Sequence, residues 1–118
     1  MDTAAECDLF FSGRAEAWAL FEELRTELLA KWPDTRMRVM KTCIAFEDPK
    51  PYCYISYPPR KHMKGIMLTF GLREQAEHER FFQVVPISRG RFTVHVLVSR
   101  LEEIDSELLL WLEASRQR

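Results

Sequence analysis

The apolar residues of this chain change their spacing twice, and that double switch constrains the fold more than any motif does. Between residues 14 and 32, Ala17, Phe21, Leu24, Leu28 and Trp32 recur at steps of three and four. That spacing gathers side chains on one face of a helix. Ser12 stands where an N-cap would, and Pro33 stops the helix after Trp32. Glu16, Glu22, Glu23 and Glu27 fall off the stripe, so the segment reads as an amphipathic helix with one face turned to a core.

Further along, the period drops to two. Residues 42–47, 52–57, 66–70 and 92–98 are short, β-branched or aromatic, and bounded by turn residues, which predicts strands. Residues 36–40 read as an early start to the first of them. Residues 84–87 supply a further short strand that Pro86 would confine to an edge. Asp48-Pro49-Lys50-Pro51 joins the first two runs as a hairpin, and Ser88-Arg89-Gly90-Arg91 joins the last two. Residues 72–81 are polar and only weakly helical. The helical period then returns with Leu101, Ile104, Leu108, Trp111 and Leu112, and Ser99 with Glu102 matches the S-x-x-E capping box. The expectation is a single α+β domain over residues 1–118, an antiparallel sheet of four to five strands packed on one face by N- and C-terminal helices.

Closing the first hairpin on residues 48–51 sets position 46 against 53 and 44 against 55, so Ile44, Phe46, Cys53 and Ile55 share a face. Ile66, Leu68 and Phe70 extend it, as do Phe92, Val94, Val96 and Val98. Burying this face under the helices, at ~25 cal/mol per Å², supplies most of the driving force for folding. The opposite face carries Cys43, Ala45, Tyr52, Tyr54, Ser56, Met67, Thr69, Arg91, Thr93 and His95. It reads as a solvated outer face, or as a platform where tyrosines stack and basic groups hold an anion. A homodimer interface is a third reading, because Cys43, Ala45, Met67 and Leu97 are more apolar than water requires.

A chain of 118 residues buries enough surface to fold without a disulfide or metal staple. Cys7, Cys43 and Cys53 are odd in number and lack CxxC spacing, which argues against a disulfide framework and for a reducing cytoplasm. No apolar run approaches the ~20 residues of a membrane span, and the acidic start lacks the regions of a signal peptide. A cytoplasmic protein with no membrane partner is expected.

The net charge of −1 hides a strong segregation. Residues 36–100 carry 12 Lys/Arg against 5 Asp/Glu, whereas the first 35 carry 3 against 8 and the last 18 carry 2 against 5. A basic middle between acidic ends points to a polyanionic partner, nucleic acid among them. Arg60, Lys61 and Lys64 follow Pro58-Pro59 in a loop, and Arg89 and Arg91 flank Gly90 at a turn. These five would contact phosphates, with Tyr52 and Tyr54 stacking on bases. The plainer alternative is that such clusters only solvate loops.

Nothing in the sequence nominates a catalytic residue, cofactor or metal. His62, His78 and His95 have no metal-ligand spacing, and the four glycines form no phosphate loop. His95, in mid-strand, is the best single acid–base group. The carboxylates lie on the helices, so an enzyme built on His95 is the least supported class.

Several stretches together carry a resemblance: Leu20-Phe21-Glu22-Glu23-Leu24-Arg25, Lys41-Thr42-Cys43-Ile44-Ala45-Phe46, Arg89-Gly90-Arg91-Phe92-Thr93-Val94-His95-Val96, and residues 99–111. The chain resembles a bacterial and archaeal family of uncharacterised domains, similar in pattern to YdhG-like and MmcQ/YjbR-like domains. The resemblance implies a small α+β unit with an antiparallel sheet and flanking helices, in groups where some members are described as DNA-binding. It also implies a shorter connection where this chain has residues 72–82. The functional expectation is a binding module that holds an anionic partner through its basic strand and loop region.

Overall fold

In the computed structural model, which describes residues 3–117, the central run forms one six-stranded sheet with every neighbouring pair antiparallel. Its strands are β1 (Arg36–Val39), β2 (Ile44–Glu47), β3 (Pro51–Ser56), β4 (Ile66–Leu72), β5 (Phe81–Ser88) and β6 (Arg91–Val98), in the order β1-β2-β3-β4-β6-β5. The helices are α1 (Thr3–Phe10), α2 (Ala15–Lys31) and α3 (Ser106–Gln117). The class is the expected α+β, with six strands rather than four to five. The extra strand arises because residues 36–40 do not run on into the next segment. The chain reverses instead, with Met40 N–H donating to the Cys43 carbonyl at 2.8 Å, and Arg36 pairs with Glu47.

Alternation sets the register. Ile44 opposes Ile55 and Phe46 opposes Cys53, as the hairpin pattern requires. The face so formed joins Leu68, Val94 and Val96 beneath Phe21, Leu24 and Leu28 of α2 and Leu108 and Leu112 of α3, all fully buried. Pro86 lies in β5, an edge strand, where its missing N–H costs no ladder bond. β5 begins at Phe81, earlier than the predicted 84–87, and residues 73–80 before it are not helical. That connection is held by side chains instead. Arg80 bonds both carboxylate oxygens of Asp105 at 3.1 Å and the Glu103 carbonyl at 2.6 Å.

The helix ends differ from the sequence reading. A helix was not expected over Thr3–Phe10, yet Cys7, Phe10 and Phe11, at steps of three and four, are buried. The Phe11 ring lies 4.9 Å from Phe21, and Phe10 lies 4.8 Å from Tyr57. Ser12 falls in the turn between the two helices, so α2 starts after Arg14 and Ser12 caps nothing. The box at Ser99 and Glu102 does not form either. Glu103 Oε1 accepts the N–H groups of Ser99 and Arg100, each at 2.9 Å, and closes a 3-10 turn at Leu101–Glu103. Asp105 then caps α3 by accepting from Leu108 N–H at 3.0 Å. Burial pushes the Asp105 carboxyl up, but the Leu108 N–H and the Arg80 guanidinium outweigh it and hold the group below the usual range.

Gly65 leads into β4 with φ +105°, and a Cβ there would meet the Val98 carbonyl oxygen at 2.1 Å. No flexible atom can yield at that contact, since the neighbour is backbone. Gly65→Ala is therefore expected to cost ~3 kcal/mol or more of unfolding free energy. Urea titration checks it, and a loss below ~1 kcal/mol would contradict this packing.

Candidate anion-binding site

The site begins with two strands that part company. β3 pairs with β4 only through Tyr54–Thr69, Ile55–Leu68 and Ser56–Met67, while β4 continues along β6 as far as Leu72. At its start β3 is drawn toward β2, where the register shifts between Phe46 and Glu47. Strands that separate leave backbone groups without ladder partners. Ser115 of α3, 2% exposed, meets that need: its hydroxyl accepts from Gly71 N–H at 3.2 Å and donates to the Tyr52 carbonyl at 2.8 Å.

The separation opens a cleft of about 510 Å³. The β2–β3 turn and β3 contribute Lys50, Pro51 and Tyr54, and the end of β4 contributes Arg73. The β5–β6 turn contributes Arg89 and Arg91 around Gly90, whose φ of +72° fits the left-handed corner of a tight hairpin. Ser115 and Arg116 of α3 complete the lining.

Its electrostatics are one-sided. Five cationic side chains line the cleft and no carboxylate does. Lys50, Arg73, Arg89 and Arg91 are exposed and form no ion pair among the described residues. Arg116 is different. It pairs with Asp48, and its guanidinium lies 4.5 Å from the Trp32 ring centroid and 5.6 Å from that of Tyr52. Its buried Nε has no hydrogen-bond partner among the described residues. Like charges gathered in a recess repel one another more strongly than they would in open water. An anion placed there would relieve that repulsion and could accept short charge-assisted bonds from the exposed guanidinium forks.

Of the residues singled out from the sequence, Arg89, Arg91 and Tyr54 come together here. Tyr52 borders the cleft but does not offer a stacking face. The bulge turns both Tyr52 and Cys53 into the core, leaving Tyr52 1% exposed with its hydroxyl 2.8 Å from Thr35 Oγ1. Arg60, Lys61 and Lys64 lie elsewhere, in the β3–β4 loop beyond Ser56. That loop is at the opposite end of β4, seven residues or ~20 Å away. His95 lies mid-sheet with its Nδ1 2.8 Å from Thr69 Oγ1, and burial lowers its pKa. Its hydrogen-bond partner is a hydroxyl, not a carboxylate. Ala45 and Met67, on the helix-free face, are 0% and 4% exposed within the monomer and present little surface to a second copy.

Lys50, Arg73, Ser115 and Arg116 carried no sequence signal as site residues. Lys50 and Arg73 stand singly in their segments, Ser115 and Arg116 are neighbours on α3, and only strand order and the splay bring the three segments together. Among the described residues, no cluster of three or more His, Cys, Asp or Glu side chains is arranged to hold a metal ion. No described helix is long and apolar enough to cross a membrane.

Tyr52 gives a pH test of this geometry. Burial pushes its hydroxyl up to about 12 from an ordinary 10.0, against the opposing effect of the Thr35 hydrogen bond. A raised tyrosine pKa means stability that is complete below pH 10 and is lost as pH rises through the folded value. The wild type should lose ~2–3 kcal/mol more than Tyr52→Phe between about pH 10 and pH 12. Equal losses in guanidinium titrations of the two proteins would contradict a buried Tyr52 hydroxyl.

Residues 7–117 match the family model of a domain of unknown function, DUF5655. Curated proteins and solved structures give no match, and the pattern shared with YdhG-like and MmcQ/YjbR-like domains gains no support from the comparison. Since the matched segment takes in every strand of the sheet and all of α2 and α3, the chain belongs to the DUF5655 family.

Proposed function

We propose that this domain is a binding module for a phosphate-bearing anion, seated in the cleft between the splayed strands. The observation that carries the reading is the lining itself, five cations with no carboxylate among them. Four of these have no ion-pair partner among the described residues, so they are free to meet a ligand. Arginine supplies three of the four, and its planar fork matches the oxygens of a phosphate better than a lysine point charge does. The basic middle of the sequence supports the same chemistry. Phosphates of a nucleic-acid backbone and of small phosphate esters share it. The three free cysteines support a reducing, cytoplasmic setting.

The β3–β4 loop takes a secondary part in this reading. Arg60, Lys61 and Lys64 are exposed and remote from the cleft, so they add general attraction for anions without shaping the site.

The test compares two charge reversals, with folding of each variant checked by circular dichroism. Fluorescence anisotropy follows a labelled single-stranded oligonucleotide, and calorimetry follows inorganic pyrophosphate. Wild-type binding should weaken with salt at a log–log slope of about −2 to −3 for the oligonucleotide. The Arg73→Glu/Arg91→Glu pair should lose ~100-fold in affinity, about tenfold per contact. The Arg60→Glu/Lys61→Glu pair should lose ~3-fold or less. If neither anion binds with salt sensitivity at micromolar protein, or if the loop pair is the damaging one, the proposal fails.

A further inference from the structure

Building on the cleft as an anion site, we infer that its ligand is a small diphosphate ester bearing a planar ring, of the nucleoside diphosphate kind. Three observations favour this over a polymer. The first is charge. The lining carries five cations and Asp48 compensates one of them. A phosphate monoester brings about two negative charges and leaves the site under-compensated, while a diphosphate ester brings roughly three and comes closer to balance.

The second is the origin of the cations. Lys50 comes from the β2–β3 turn, Arg73 from the end of β4, and Arg89 and Arg91 from the β5–β6 turn. One phosphate is satisfied by one or two arginine forks. Cations converging from three separate segments fit a ligand that presents two adjoining groups of acceptor oxygens. The third is size. About 510 Å³ lies within the range of small-molecule sites, in an open cleft bordered by strands, hairpin and helix. The Arg60, Lys61 and Lys64 cluster is ~20 Å away, at the far end of β4, and Arg36 stands singly at the near end of β1. A polymer threading the cleft would need cations continuing outward from it.

Tyr54 supplies the place for the ring. It is half-buried and lines the cleft, whereas the Tyr52 ring is enclosed by Trp32 and Arg116. A planar ring on an aromatic face gains affinity whatever its identity, because every base has a π-face. The phosphates would thus sit toward Arg73, Arg89 and Arg91, with the ring against Tyr54.

Calorimetry at about 0.15 M salt tests this with adenosine diphosphate, adenosine monophosphate, pyrophosphate, adenosine and a 12-nucleotide single strand lacking a terminal phosphate. The diphosphate should bind ~10-fold more tightly than the monophosphate, since each additional charged contact is worth about a factor of ten, and adenosine should give no heat. Tyr54→Ala should weaken adenosine diphosphate ~5- to 10-fold and leave pyrophosphate within ~2-fold, while Tyr54→Phe keeps the wild-type order, because the ring rather than the hydroxyl is the contact. Near-ultraviolet circular dichroism confirms that each variant is folded.

Equal affinity for the mono- and diphosphate, or an oligonucleotide that displaces the diphosphate at equal nucleotide concentration, overturns the diphosphate assignment and leaves the anion site standing. Equal weakening of pyrophosphate and adenosine diphosphate by Tyr54→Ala overturns the ring contact. If neither pyrophosphate nor the oligonucleotide binds, the anion site falls as well.

Discussion

One side-chain hydroxyl holds the two halves of this architecture together. Ser115 stands where β3 and β4 stop pairing, accepting from one strand and donating to the other. Without it, Gly71 N–H would lose its partner in a buried position, and a buried donor left unpaired costs ~1–3 kcal/mol. The same residue fixes the last turns of α3 against the sheet, with Arg116 following directly beside the cleft. A structural need, to satisfy two separated strands, thus puts a cation at the site. The splay that creates the need also creates the recess.

Around that recess, the charges follow from topology. Two reversals of the chain, β2–β3 and β5–β6, and the end of β4 all fall at one end of the sheet because the strands run antiparallel. Turns favour polar residues, so cations gather there without straining the core. The β3–β4 loop lies at the other end by the same logic. Antiparallel pairing therefore keeps Lys50, Arg73, Arg89 and Arg91 apart from Arg60, Lys61 and Lys64. Only the group beside the splay has a concave surface to work with.

The period of the apolar residues made the core legible. Side-chain alternation is local, so the partners of Ile44 and Phe46 could be read from the turn and the spacing alone. The confinement of Pro86 to an edge followed from its missing donor. Other features have no local signature. The bulge at Phe46 and Glu47 contains no glycine, yet it turns Tyr52 inward and takes it out of the helix-free face. The reversal at Met40–Cys43 has neither glycine nor proline, so β1 read as part of its neighbour. The site was legible in part. Arg89, Arg91 and Tyr54 stood out as a basic hairpin and an aromatic strand position. Lys50, Arg73 and Arg116 are lone cations far apart in sequence, and the density of charge at Arg60, Lys61 and Lys64 says nothing of where in space it falls.

Whether anions bind in the cleft between the splayed strands is tested most directly by amide mapping. In a two-dimensional 1H–15N spectrum titrated with pyrophosphate, shifts should cluster on Lys50, Tyr54, Gly71, Arg73, Gly90, Arg91 and Ser115, with residues 60–64 nearly unchanged. Shifts centred on residues 60–64, or spread evenly over every basic residue, would contradict the account.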